Sequence, residues 1–356
     1  MSRHRRLLAR KMSRVRVREV IVATHTLNDV VPLLQQSLPQ LTFRRVDLVP
    51  PCGNAWRHTL PEEDIQKLEA AEILITDNQT IPQVANRLPQ LQWVQGTFAG
   101  LELVLKRMKE TVRSGVEKPP FIATRFSGER YGQLMFEYAL SFMISNERGF
   151  SQFARLQPQA DWSKCKAHSS VKFRLLSELT VTVLGLGGIG SFVTKSLKQM
   201  GCRVKGFSRT EKSELFASSI GLDFFSTSIQ ETLRDTDYII NILPHSPQTI
   251  GLLNDKLQVC DKSPVLINLG RGSVVSEKAL LSALDQGYVS GAVLDVFERE
   301  PLPAASSLWS HPRVLITPHV GAETRVQDLA ELFVQNYELF VANKPLKFLI
   351  EWTGEY

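Results

Sequence analysis

The stretch from Val181 to Thr210, VTVLGLGGIGSFVTKSLKQMGCRVKGFSRT, does most to limit what this chain can fold into. An apolar run leads into the turn Gly185-x-Gly187-x-x-Gly190, a helix-like segment follows, and a second apolar run occupies Arg203–Phe207. Strand, glycine turn, helix and strand in that order form a parallel βαβ unit. Further runs lie at Tyr238–Leu243, Val265–Leu269, Gly291–Asp295 and Val314–Thr317, most of them separated by helix-like segments. Near-continuous Val, Ile and Leu is what strands need when helices cover both faces of a parallel sheet. A doubly wound α/β sheet is therefore predicted. Gly185 permits a tight turn, Gly187 lets the backbone approach a pyrophosphate, and Gly190 lets the helix pack on the sheet. The helix start then faces the phosphates with unpaired N–H groups and a positive dipole end, so a dinucleotide is the expected ligand.

A second parallel unit is predicted upstream, from the runs Val20–Ala23, Ile73–Ile75, Trp93–Val94 and Phe121–Ala123, ending near Arg125. An amphipathic helix over Glu129–Phe150, carrying Leu134, Tyr138 and Phe142, is long enough to bridge two domains, and a polar stretch from Gln157 to Ser170 separates it from the glycine turn. A last helix, about Glu323–Val341, lies beyond Pro318 and is expected to return to the first unit, making that domain discontinuous. The boundaries read from the sequence are 1–18 for a basic extension, 19–130 completed by 321–356 for the first domain, and 131–320 for the second. A chain of 356 residues is long enough for two such cores.

Composition excludes several classes. At 43% hydrophobic and 22% charged residues the chain is ordinary globular material, and no apolar run reaches the length of a membrane span. Cys52, Cys165, Cys202 and Cys260 form no CxxC pair, so neither a zinc site nor a disulfide framework is suggested and a reducing compartment is expected. The formal charge of +6 is concentrated at the start: residues 1–18 hold seven Arg and one Lys of the 42 basic residues and none of the 36 acids, which leaves 34 basic against 36 acidic side chains. A folded body without a basic face argues against a nucleic-acid partner. The Arg-rich start is open to two readings: a mitochondrial transit peptide, or an unstructured extension of a cytoplasmic protein with Met12 as an alternative start.

Open α/β sheets bind ligands beyond the carboxyl ends of their strands, and the residues just past several strands here are chemically specific. Gly270-Arg271-Gly272 comes after Leu269, Phe297-Glu298-Arg299-Glu300-Pro301 after Val296, and His319 after Pro318. An arginine, a carboxylate and a histidine at one sheet edge make a constellation. Arg271 can grip a carboxylate and a carbonyl oxygen, and Glu300 beside His319 favours an imidazolium able to give up a proton. The second strand runs into Ser208-Arg209-Thr210, where NAD-selective sites carry an acid for the ribose hydroxyls. Arg209, with hydroxyls at Ser208 and Thr210 and Lys212 nearby, suits the extra phosphate of NADP. NADPH is expected as the preferred cofactor, with NADH possible.

Gly185-Leu-Gly-Gly-Ile-Gly190, Asn241-Ile-Leu-Pro-His-Ser-Pro247, Asn268-Leu-Gly-Arg-Gly272, Asp295-Val-Phe-Glu-Arg-Glu-Pro-Leu-Pro303 and Thr317-Pro-His319 resemble the signature segments of the D-isomer-specific 2-hydroxyacid dehydrogenases, with glyoxylate/hydroxypyruvate reductases the best fit. The likeness spans about Gln92–Phe340. It implies two Rossmann-like domains, the first for substrate and the second for nucleotide, and a homodimer without nucleic-acid or membrane partners. It also implies reduction of glyoxylate and hydroxypyruvate by hydride transfer, with no metal. The implied cofactor-binding residues are Gly185, Gly187, Gly188, Ile189, Gly190, Ser208, Arg209, Thr210, Pro244, Leu269 and Asp295. Arg271, Glu300 and His319 are the implied catalytic set. Thr97-Phe-Ala-Gly-Leu101 resembles the substrate loop, in which the N–H groups of Ala99 and Gly100 join Arg271 and His319 in holding the acid. Two departures stand out: Leu101-Glu102 replaces a short apolar residue and Asp, and Ser276 stands where Asp is frequent. Alternatives are a broad NADH-linked D-2-hydroxyacid dehydrogenase and a dinucleotide-sensing corepressor platform. The latter is expected to carry long disordered extensions, whereas this chain ends at Tyr356, soon after its last helix.

Overall fold

The computed structural model describes residues 17, 19–49, 59–113, 119–168 and 173–352. Of the basic start only Val17 is among them, and it is buried; the rest of that segment, like Cys52, lies outside the described residues. The strands are β1 (Glu19–Ala23), β2 (Thr42–Arg45), β3 (Ile73–Thr76), β4 (Trp93–Gly96), β5 (Ile122–Thr124), β6 (Thr180–Leu184), β7 (Arg203–Phe207), β8 (Phe224–Ser226), β9 (Tyr238–Asn241), β10 (Val265–Asn268), β11 (Gly291–Leu294) and β12 (Val314–Ile316). The helices that matter below are α1 (Val30–Ser37), α2 (Glu102–Arg113), α3 (Glu129–Arg148), α4 (Gly188–Gln199), α5 (Glu277–Asp285) and α6 (Val326–Val341). No described helix is long and apolar enough to cross a membrane.

Contacts divide the chain into two compact units, one taking the described residues up to Ser127 together with those from Thr324 on, the other spanning Gly128–Glu323. The first unit is a five-stranded sheet in the order β2-β1-β3-β4-β5 with every neighbouring pair parallel. Its discontinuity has a physical anchor in Trp93. The indole of this fully buried residue stacks on Phe333 of α6 at 4.9 Å and on Phe340 at 5.5 Å, and its N–H donates to Thr124 Oγ1 at 2.9 Å. The segment after α6 then runs antiparallel beside β5, where Ile350 N–H donates to the Ala123 carbonyl and Arg125 N–H to that of Phe348.

The second unit is a seven-stranded parallel sheet in the order β12-β11-β10-β9-β6-β7-β8. Chain order reverses between β6 and β9, so the first strand of the unit has the second on one side and the fourth on the other. That is the dinucleotide-binding topology with one strand added, and the reversal opens a crevice at the carboxyl ends of β6 and β9. β6 and β9 are wholly buried, with α3 and α4 packed together on one face over Val181, Val183, Tyr238 and Ile240 and a second apolar cluster around Ile239, Leu266 and Leu284 on the other.

Several elements differ from the sequence expectation at their ends. β9, β10, β11 and β12 stop one or two residues short of their apolar runs, because Leu243 and Leu269 already belong to loops over the crevice. α3 ends at Arg148 instead of Phe150, since Gly149 takes a left-handed φ of +66° and caps it. The stretch read as a polar separator from Gln157 to Ser170 contains a 3-10 turn, Gln157–Gln159, and a short helix, Trp162–His168, and a further short helix, Phe150–Leu156, precedes it.

Candidate active site

The glycine turn follows from steric demands at each position. Gly185 has φ +102°, a region that L side chains rarely adopt, and a Cβ on Gly190 would lie 1.8 Å from the Gly185 carbonyl oxygen. A Cβ on Gly187 or Gly188 would meet nothing within 4 Å. The turn is thus closed toward the sheet and open toward the crevice, where the first N–H groups of α4 have no partner within the helix. Gly187 and Gly188 are exposed and Ile189 is half-buried. Beside the turn, Gly185 N–H donates to the carbonyl of Phe207, the last residue of β7. Ser208–Thr210 therefore begins next to the glycine turn. Ser208 is buried and its hydroxyl donates to the Thr210 carbonyl at 2.6 Å, so its proton braces the turn, while Arg209 and Thr210 are exposed and Lys212 lies over the Phe216 ring.

Arg271 sits between two glycines that only glycine can fill. A Cβ on Gly272 would lie 1.9 Å from the Phe297 carbonyl carbon and one on Gly270 2.6 Å from the Leu243 carbonyl oxygen. Beneath this turn, Asn268 Nδ2 donates to the Arg271 carbonyl at 3.2 Å, Asn241 Nδ2 donates to Asn268 Oδ1 at 2.8 Å, and Leu243 N–H donates to Asn241 Oδ1 at 3.2 Å. Both asparagines are buried, so the Arg271 turn and the Leu243–Pro244 loop are fixed to one hydrogen-bonded pair. Leu269 is buried and Pro244 half-buried at this edge. Ser276 accepts the N–H of Ala279 and caps α5, the same task an aspartate performs. In α2, Glu102 occupies the first turn, where a carboxylate suits the helix dipole, and Leu101 before it is buried.

His319 and Glu300 form a direct pair: Nδ1 lies 2.7 Å from Glu300 Oε2, with both side chains partly exposed. That hydrogen bond, reinforced by the carboxylate charge, raises the His319 pKa above its ordinary 6.5 against the opposing effects of burial and the Arg271 cation. Burial alone pushes Glu300 up, but the bond and charge of His319, the N–H of Phe297 and the Arg271 cation together hold it below its ordinary 4.5. With Nδ1 engaged by Glu300, Nε2 is the nitrogen left to face a reactant. The loop carrying His319 is organised by Asp295, whose buried carboxylate accepts the Thr317 hydroxyl at 2.6 Å and the N–H groups of Val320 and Gly321 at 2.8 and 2.9 Å. Arg271, Glu300 and His319 are thus brought together in the second unit.

Ala99 and Gly100 lie in the first unit, on the loop after β4. Three successive carbonyls of this loop turn inward: Asn78 Nδ2 donates to those of Phe98 and Gly100 at 2.9 and 2.7 Å, and an Arg125 guanidinium N–H to that of Ala99 at 2.9 Å. In a trans peptide the N–H points opposite its carbonyl, so the N–H groups of Ala99, Gly100 and Leu101 turn the other way, a geometry suited to an anion. Asn78 Oδ1 also accepts Phe98 N–H, Asp77 accepts the Thr97 hydroxyl, and Thr324 donates to the Thr97 carbonyl. Sequence reasoning assigned none of Asn78, Asn241, Asn268 or Thr317 a role. Asn241, Asn268 and Thr317 open segments quoted above, but what they do lies in bonds to distant residues, Asn241 to Asn268 and Thr317 to Asp295, as Asn78 reaches Phe98 and Gly100, and the local sequence does not show these partners. Among the described residues no group of His, Cys, Asp and Glu could hold a metal.

Comparison with known proteins identifies the family. Residues 140–321 match the D-isomer specific 2-hydroxyacid dehydrogenase, NAD binding domain. Glyoxylate/hydroxypyruvate reductase A of Escherichia fergusonii is 33% identical over 282 residues, covering 76% of this chain and 85% of that protein. The crystal structure of a D-isomer specific 2-hydroxyacid dehydrogenase family protein from Aeromonas salmonicida superposes with a TM-score of 0.76 at 29% identity, over 94% of this chain and 99% of that one. An NADPH-dependent glyoxylate/hydroxypyruvate reductase from Sinorhizobium meliloti, solved with NADP and sulfate, gives 0.74 at 25% identity over 95% and 100%. The chain thus belongs to the D-isomer specific 2-hydroxyacid dehydrogenase family, the NAD(P)-dependent oxidoreductases that act on the CH–OH group of 2-hydroxy acids.

Proposed function

We propose that this enzyme reduces glyoxylate and hydroxypyruvate to the corresponding 2-hydroxy acids, with NADPH preferred over NADH. The observation that carries the reading is the Glu300–His319 hydrogen bond of 2.7 Å beside Arg271, at the edge of a dinucleotide-binding sheet. The guanidinium of Arg271 pairs with the acid's carboxylate and carbonyl oxygen. The bound nicotinamide supplies the hydride to the carbonyl carbon. His319, held protonated by Glu300, gives its Nε2 proton to the carbonyl oxygen; in the reverse direction neutral His319 takes the hydroxyl proton.

The crevice suits a dinucleotide because the backbone at Gly187 and Gly188 is open, and the N–H groups of Gly188, Ile189 and Gly190 at the helix start suit a pyrophosphate. Pro244, Leu269 and Asp295 line the β9, β10 and β11 ends where the nicotinamide belongs. The preference for NADPH rests on Ser208, which removes the carboxylate that would repel a 2′-phosphate, and on Arg209, Thr210 and Lys212, which supply donors and charge. Because the Ser208 proton is engaged by Thr210, Ser208 contributes through the missing charge more than through a donated bond. The functional form is a homodimer, supported by exposed apolar side chains between Ile144 and Leu175.

Steady-state kinetics over a panel of 2-oxo acids with both cofactors tests this. Glyoxylate and hydroxypyruvate should give the highest kcat/KM, and NADPH should exceed NADH by at least about tenfold, or about 1.4 kcal/mol. A Ser208→Asp, Arg209→Ala double variant should reverse the cofactor order. Equal use of the two cofactors by the unaltered enzyme would remove the cofactor assignment, and turnover confined to larger 2-oxo acids would remove the substrate assignment.

A further inference from the structure

Behind His319 runs a hydrogen-bond chain whose direction is fixed by chemistry. A carboxylate only accepts, so the Thr317 hydroxyl donates to Asp295 Oδ1 at 2.6 Å. With that single proton committed, the 2.5 Å contact between Thr317 Oγ1 and the Tyr138 hydroxyl has Tyr138 as the donor. Tyr138 projects from α3, half-buried and tilted against Phe142 at 4.7 Å between ring centres. Burial pushes its phenol up to about 12, so it remains a donor throughout the neutral range.

The loop at the other end needs holding. His319 has φ +59°, a region sparsely populated by residues other than glycine, and such a conformation persists only where its surroundings over-determine it. The two sides of His319 are anchored to the same carboxylate, by the Thr317 hydroxyl before it and by the N–H groups of Val320 and Gly321 after it. Gly321 permits this close approach, since a Cβ there would lie 2.9 Å from Asp295 Oδ2.

We propose that Tyr138 is a positioning residue for the reaction: its hydroxyl locks Thr317, and through Asp295 the backbone on both sides of His319, so that the imidazole is presented in one direction. This rests on the reading of His319 as the proton donor. Tyr138→Phe keeps the ring and its contact with Phe142 while deleting the donor. The expected result is a kcat for glyoxylate reduction lower by about tenfold, within what small misplacements of a reacting group cost. KM for glyoxylate, the Kd for NADPH from fluorescence titration, and Tm should stay close to wild type. Thr317→Val should slow the enzyme likewise, Thr317→Ser should recover most of the rate, and the Tyr138→Phe, Thr317→Val double variant should be no slower than Thr317→Val alone, since both cut one chain. Wild-type kcat in Tyr138→Phe, or losses that multiply in the double variant, would overturn the proposal. The two ideas separate cleanly: if His319→Ala keeps the wild-type rate, the reading of His319 fails, whereas impaired His319→Ala beside normal Tyr138→Phe defeats the positioning role alone.

Discussion

At the scale of single residues the chemistry turns on which protonation state His319 holds. In the proposed mechanism, reduction needs the imidazolium. Its pKa is raised above 6.5, first by the Glu300 hydrogen bond, so the rate of reduction should fall only as pH rises through that raised value. Glu300→Gln keeps a hydrogen-bond acceptor but removes the charge, and should move the basic limb of kcat/KM for glyoxylate to lower pH; an unmoved limb would show that Glu300 does not set the proton's affinity. His319→Ala should lower turnover by about a hundredfold or more, the usual scale for a lost general acid, with NADPH binding retained in the same titration. The linked effect on stability has a definite sign. The contribution from the raised His319 is complete below its unfolded pKa and is lost as pH rises through the folded value, while that from the depressed Glu300 is complete above its unfolded pKa and is lost as pH falls through its own. Both side chains are partly exposed, so solvent screening keeps that contribution small.

Elements decide how such residues are aimed. The loop after β4 is shaped by Asn78, a fully buried side chain that donates to two loop carbonyls and accepts a loop N–H. Asn78→Asp preserves its size but deletes both donors and sets a negative charge against two carbonyl oxygens. A buried acceptor left without its partner costs about 1–3 kcal/mol, so KM for glyoxylate should rise by about tenfold to a hundredfold while the Kd for NADPH is unchanged; an unaltered KM would mean that the loop does not hold the carboxylate. The buried strands of the second unit were legible in the sequence because both their faces are covered, and β6, β9 and β10 stand where their Val, Ile and Leu runs lie. β2 and β8 were not. Thr42–Arg45 and Phe224–Ser226 are edge strands, partly exposed and rich in polar residues or too short to show a period. The glycine turn, Arg271 and His319 were legible because each comes directly after a readable strand. The supports at Asn78, Asn241 and Asn268 were not, since each joins its loop to a partner 20 or more residues away, Asn78 to Phe98 and Asn241 to Asn268, and that partner is visible only in the fold.

For the whole molecule, the distribution of exposed apolar surface carries the remaining expectation. Ile144 on α3, Phe150, Trp162, Phe173 and Leu175 all expose large side chains within a short stretch of the second unit's sequence, and Trp162 is 83% exposed. Monomeric proteins seldom leave a contiguous apolar patch of more than a few hundred Å² uncovered, and a second copy of the chain supplies the simplest cover. The charge balance outside residues 1–18 permits this, because 34 basic and 36 acidic side chains leave little net repulsion between copies. Light scattering on the eluting protein should therefore give the mass of a dimer at micromolar concentration. Aromatic anchors at an interface each contribute about 2 kcal/mol, so a Phe150→Glu, Trp162→Glu double variant should weaken association by at least about a hundredfold and elute as a monomer. Both side chains point to solvent within the unit, so its fold and the Tm of the monomer should survive the change. A wild-type monomer would end the dimer reading, and a double variant that dimerises as tightly as wild type would place the interface on another face.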